Sequence, residues 1–226
     1  SVVEQRAEVS FLQQRSSVLE LTANGRNVRV SALSPVPAAF AQSLVHMAQY
    51  LPTKAAQINH APELRPNLEA VALHIDFGGD AALLGADLED HATCGWGAVV
   101  SNAWCASRPS GSAYKVAHHG SYSGDHPHIW ATLLEENSTA CLTPFNRGHR
   151  LPSDEDKARI KGCTANAYLS SGTTRRPDMD ASIFKRLEDI CNKVTRVNSG
   201  FGAIRLRKQI DMANWAVELF GTACPL

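Results

Sequence analysis

Three side chains in this sequence have types and spacing suited to chemistry: Asp87, His118 and His119. The two histidines lie in Tyr114-Lys115-Val116-Ala117-His118-His119-Gly120-Ser121, which reads as a short buried strand running into a glycine turn. After His119 the chain is small and polar through Gly124. A strand end followed by such a loop is where a sheet protein displays reactive groups. Imidazoles placed there are suited to binding a metal or moving a proton. Adjacent residues point in different directions, so one histidine could ligate while the other faces a substrate. Asp87 closes Leu83-Leu84-Gly85-Ala86-Asp87, at the end of a second apolar strand. A carboxylate there could ligate one cation or bridge two; taken alone, an aspartate in this position more often serves a turn or a helix cap. Asp87 with His119 makes a partial oxygen and nitrogen set of the kind zinc accepts. A catalytic zinc needs about three protein ligands and an open position.

The remaining histidines carry weaker signals. His126 and His128 flank Pro127 where a helix is expected to begin, which favours surface or capping roles. His149, in Asn146-Arg147-Gly148-His149-Arg150, lies on a loop where it could contact an anionic substrate group. His46, His60, His74 and His91 are scattered, and ordinary structural roles suit each. Arg147 and Arg150 could hold a phosphate or carboxylate, although loop arginines usually face solvent. Ser121 lies near the histidines but lacks a nucleophile elbow. No P-loop, dinucleotide fingerprint or HExxH helix is present.

The elements that would position these groups alternate between strand and helix. Residues 2–20 are expected to be helical, followed by a turn at Asn24-Gly25 and a strand over 27–33. A helix over 38–50 ends at Leu51-Pro52, and 53–67 reads as a loop. Leu68–Phe77, the Gly78-Gly79-Asp80 turn and Ala81–Leu84 form a hairpin. A short helix is expected over 95–105, another over 127–135 and a strand over 138–143. Ser153 with three following acids opens a further helix. A short strand over 167–169, an amphipathic helix over 181–194 and strands near 202–207 and 214–220 complete the chain. Helices between strands, interrupted by hairpins, predict an α/β fold with a mixed sheet.

With 226 residues the chain is long enough for one sizeable core, and a single domain over 1–226 is expected. Lys plus Arg (22) equals Asp plus Glu (22), so there is no basic excess of the kind non-specific nucleic-acid binding uses. No apolar run approaches the ~20 residues that span a bilayer. The six cysteines form no CxxC pair, which favours free thiols in a reducing compartment and hence the cytoplasm.

In their order, these features resemble the metallo-β-lactamase superfamily, most closely the branch containing the hydrolase-like domain of bacterial DNA-uptake channel proteins. The resemblance is carried by the strand from Asn67-Leu68 to Phe77, by Leu83–Asp87, by Tyr114–Ser121, and by Leu142-Thr143-Pro144 leading to Leu151-Pro152. It implies an αββα sandwich and hydrolysis by water activated at a site of two zinc ions. The implied substrate is a small-molecule or nucleotide-type phosphodiester, or another ester or amide. By resemblance, Asp87 bridges the two metals, His119 ligates the second, and His118 stands beside the substrate as a proton donor or oxyanion contact. The family's HxHxDH motif, which supplies most ligands, is missing, and Ala86 stands where a glycine is usual. Two expectations follow. This chain could be the C-terminal part of a hydrolase whose first half lies upstream or on a partner chain, as the absent initiator methionine suggests, and would then be inactive alone. It could instead be a metal-free relative serving as an interaction module in a bacterial assembly.

Overall fold

The computed structural model describes residues 11–23, 25–51, 66–145, 150–172, 180–191, 200–209, 212 and 214–226. They form an α/β protein that divides into two compact units, Ser1–Ala167 and Tyr168–Leu226.

The first unit is built on strands β1 (Ser17–Ala23), β2 (Arg26–Ala32), β3 (Leu73–Asp76), β4 (Ala81–Leu84), β5 (Gly111–Lys115) and β6 (Leu134–Leu142), adjacent in sequence order. β1 to β4 pair antiparallel, whereas β4–β5 and β5–β6 are parallel. The parallel pairs require crossovers. The first contains α2 (Trp96–Val100) and α3 (Ala103–Ala106), after α1 (Pro37–Ala48) between β2 and β3. The second contains the histidine turn and a single turn of π-helix at Ile129–Leu133. α4 (Asp154–Cys163) follows β6, started by a capping box in which Ser153 and Asp156 satisfy each other's backbone N–H. Leu83, Tyr114 and Ala140 are register partners across β4, β5 and β6, and all three are buried. The core therefore lies directly beneath the ends of the parallel strands.

Several expectations are corrected. Residues 17–20, read as the end of a helix, begin β1; residues 2–10 of that reading lie outside the described residues. The scattered apolar side chains mimicked a helical face. The turn at Gly25 (φ 74°) instead closes a hairpin whose register runs from Ser17↔Ser31 to Ala23↔Arg26. The strand expected from Leu68 is confined to Leu73–Asp76, because residues 66–69 make a 3-10 turn. The helix over 127–135 is the π-helical turn, and β6 already begins at Leu134.

β7 (Ala167–Leu169) begins on the last residue of the first unit, and the second unit holds the rest of it with α5 (Ala181–Ile190), β8 (Gly202–Arg207), β9 (Ala216–Gly221) and β10 (Cys224–Pro225). β8 and β9 form an antiparallel hairpin, and β10 pairs antiparallel with β7. Residues 192–194 of the expected helix lie outside the described residues. No helix among the described residues is long and apolar enough to cross a membrane.

Candidate functional site

Asp87, the two histidines and Thr143 all follow the C-terminal ends of parallel strands: Asp87 after β4, His118 and His119 after β5, Thr143 after β6. Ligand sites of α/β sheets favour this edge, where successive loops open on the same side.

The loops are seated by close backbone approaches. Gly85 N–H donates to the Lys115 carbonyl (2.9 Å), and a Cβ on Gly85 would lie 2.7 Å from the Ala117 nitrogen. His118 N–H donates to the Ala86 carbonyl (2.9 Å). Trp96, fully buried, donates its indole N–H to the Leu88 carbonyl (2.9 Å) and fixes the loop after Asp87. Asp90 N–H donates to the Ser123 carbonyl (2.6 Å), tying the acidic loop to the histidine loop. Tyr114, buried beneath the turn, accepts the Ala117 N–H at its hydroxyl (3.2 Å) and packs edge-on against Trp130.

Backbone strain is concentrated here. Ala86 (φ 48°), His118 (φ 43°) and His119 (φ 57°) occupy the left-handed region, and Gly120 follows at φ 81°. Non-glycine residues in that region persist only where their surroundings hold them, and they gather at functional sites.

That backbone brings two predicted site residues together. The His119 Nε2 lies 3.6 Å from Asp87 Oδ1. On the other side of the ring, Nδ1 lies 2.8 Å from the Thr143 carbonyl oxygen. A carbonyl only accepts, so Nδ1 carries a proton, and in the neutral imidazole Nε2 then turns its lone pair toward the carboxylate. The ring also packs 5.1 Å from Phe145, whose backbone pairs with that of Leu151. A lone pair and a carboxylate oxygen are both acceptors and make no hydrogen bond with each other, and 3.6 Å is beyond hydrogen-bond distance. It is close to the spacing of two ligands on one cation, since bonds of ~2.1 Å at a tetrahedral angle place their atoms about 3.4 Å apart. The pair therefore fits a shared cation. A ring N–H held by a backbone carbonyl is also the usual outer support of a metal-bound histidine. Among the described residues no group of three or more His, Cys, Asp or Glu side chains is placed to hold a metal, so the pair alone falls short of the about three protein ligands of a catalytic zinc.

His118 points elsewhere. Its Nδ1 lies 3.1 Å from Ser123 Oγ and 3.5 Å from Glu89 Oε1, and Glu89 in turn accepts from Asn67 Nδ2 (3.1 Å). Lys115 lies near Asp87; burial lowers its ammonium pKa and the Asp87 charge opposes that shift. A cavity of about 520 Å3 opens beside the turn, with Ser121, Tyr122, Arg150 and Leu151 on its wall.

Glu89, Ser123 and Lys115 escaped the sequence reading. The one available signal for Glu89 was its place in the run Asp87-Leu88-Glu89-Asp90. His149, the candidate substrate contact, lies outside the described residues, as do Arg147 and His60. His126 accepts the His128 N–H in a local cap (3.1 Å), His74 is buried in β3, and His46 and His91 engage Tyr50 and Thr93.

Comparison with protein-family models gives no match, and comparison with curated proteins and with solved structures gives none either.

Proposed function

We propose that this chain carries part of the active site of a metal-dependent hydrolase of the metallo-β-lactamase superfamily, with the αββα sandwich of that family. The observation that carries the reading is the His119 ring: Nδ1 held by the Thr143 carbonyl and Nε2 aimed at Asp87 from 3.6 Å. Asp87 and His119 would hold zinc, two ions being expected in the complete site. Bound zinc lowers the pKa of its water to ~7 and polarises the scissile group. His118, oriented by Ser123 and Glu89, presents its remaining ring nitrogen to the substrate as a proton donor or oxyanion contact. Lys115 balances the charge of Asp87 from the strand below. The cavity bordered by Tyr122 and Arg150 adjoins the histidine turn but is lined by none of Asp87, His118 and His119, so it would take the part of a small-molecule or nucleotide-type phosphodiester, or another ester or amide, that lies away from the reacting bond. The remaining ligands come from an N-terminal half or a partner chain, and the chain alone is inactive. The six free cysteines support a place in the cytoplasm.

The two-ligand count among the described residues favours one other reading, a metal-free interaction module in a bacterial assembly. Zinc titration of this chain and of the polypeptide encoded by its full reading frame separates the two. Stoichiometric zinc that is lost in Asp87→Ala and His119→Ala supports the hydrolase. No zinc in either polypeptide rejects it.

A further inference from the structure

His118, His119 and Gly120 form three consecutive left-handed residues at φ 43°, 57° and 81°. A left-handed residue carrying a Cβ costs roughly 1–2 kcal/mol, so the turn requires external support. On one side that support comes from the Ala86 and Thr143 carbonyls. On the other it comes from a residue distant in sequence. Arg159 of α4 donates Nη2–H to the Gly120 carbonyl at 2.7 Å.

The rest of the guanidinium is pinned. Nε donates to Asp125 Oδ2 (2.6 Å) and Nη1 to Asp156 Oδ1 (2.7 Å). The Asp125 and Asp156 side chains are 12 % and 7 % exposed, and each is fixed in turn. Trp130 Nε1 donates to Asp125 Oδ1 (3.0 Å), and Asp156 belongs to the α4 capping box. The Tyr122 ring covers the guanidinium at 5.7 Å. Because the fork is rigid and planar, holding two of its nitrogens fixes where the third points. Lysine, with one ammonium centre, could not reach three acceptors that lie apart. The other wall behind Gly120 is also closed, since a Cβ there would stand 2.6 Å from Leu142 Cδ2 and 3.1 Å from Ile160 Cδ1.

We infer that Arg159 is a positioning residue of the site: it clamps the Gly120 carbonyl to α4 and so holds the left-handed turn that aims His119 at Asp87. Its effect on zinc rests on the metal reading above, whereas its effect on the turn does not. An arginine that merely anchored α4 would change overall stability and leave the turn and the metal affinity as they were.

Two variants, Arg159→Met and Arg159→Lys, decide this, each studied under conditions where circular dichroism shows it folded. The first readout is amide hydrogen exchange at Ser121, whose N–H closes the turn on the His118 carbonyl (2.9 Å). Its rate is taken relative to amides within β5. The second is zinc affinity measured against a competing chelator. Exchange at Ser121 is expected to rise at least tenfold against β5, with zinc bound about tenfold more weakly, as for loss of an outer support. Unchanged relative exchange, or zinc affinity within twofold of the parent, overturns the clamp. If neither this chain nor the polypeptide encoded by its full reading frame binds zinc, the metal reading fails and exchange alone decides the clamp. If Arg159→Met does not fold, Arg159→Lys is judged by the same measures.

Discussion

The Nε2 of His119 faces Oδ1 of Asp87 across 3.6 Å, while the opposite ring nitrogen is engaged by the Thr143 carbonyl at 2.8 Å. Neither group is positioned by its own strand alone. The carboxylate depends on a loop tied down by Trp96, and the imidazole on a left-handed turn held from β6 and α4. The pair is thus a property of the parallel half of the sheet, and the first predictions concern that half.

Gly85→Ala should be strongly destabilising. The added Cβ would meet the Ala117 nitrogen and Cα at 2.7 and 2.8 Å, and these are backbone atoms with no rotamer to yield. A loss of ~3 kcal/mol or more in urea denaturation is expected, at the upper end of overpacking costs. Gly120→Ala should cost about 2 kcal/mol, since it combines a positive φ with contacts to the movable ends of Leu142 and Ile160. A smaller effect for Gly85→Ala than for Gly120→Ala would show that the β4 exit loop is looser than described.

Tyr114→Phe removes the hydroxyl that accepts the Ala117 N–H at 3.2 Å in a buried position. Leaving that donor unpaired should cost about 1–3 kcal/mol. Thermal denaturation with an unchanged midpoint would contradict this role.

How much of this was legible before folding depends on sequence distance. Asp87 and His118-His119 stood out because each lies at the end of an apolar strand beside glycine, a pattern that local sequence carries in full. The α/β class followed in the same way from alternating strand and helix signals. Their support was not legible. Arg159 lies 39 residues from Gly120 and 34 from Asp125, and only the packing of α4 on the β5 exit loop brings them together. The β1 hairpin was missed for a related reason. The pairing of Ser17–Ala23 with Arg26–Ala32 overrides a helical spacing that is only incidental. His118 and Ser123 are close in sequence, yet their contact requires a left-handed turn that side-chain patterns do not announce.

His74 makes acid stability testable. It is buried in β3 with Nε2 on the Pro109 carbonyl (2.8 Å) and Nδ1 without a partner among the described residues. Burial, the largest influence, lowers its pKa below the ordinary 6.5, assisted by Arg108 and opposed by the Pro109 hydrogen bond and Asp76. The folded state therefore binds fewer protons than the unfolded chain once pH falls below that ordinary value. Stability is retained above it and lost as pH drops toward the folded-state value. His74→Leu should flatten the fall in melting temperature between pH 7 and pH 5 relative to the parent. An identical slope in both would contradict the assignment.

The thiols should separate by burial. Cys105 and Cys141 are pushed up to about 11 by burial, and Cys94 is also buried, whereas Cys163 and Cys191 are exposed. The thiolate is the reactive form. Under native conditions at pH 8, iodoacetamide should label Cys163 and Cys191 first and reach Cys105 only on unfolding. Early labelling of Cys105, read by peptide mass spectrometry, would contradict the buried environment.

The most direct measurement is a zinc titration of the parent polypeptide encoded by the full reading frame and of its Asp87→Ala, His119→Ala and doubly substituted forms, by calorimetry with a competing chelator. A stoichiometric site is expected in the parent, weakened by each single change. The double change should be little worse than either single one, because both residues serve the same ion. An absence of zinc binding in the parent, or single variants that bind as tightly as the parent, would contradict the pairing of Asp87 and His119 on a shared metal.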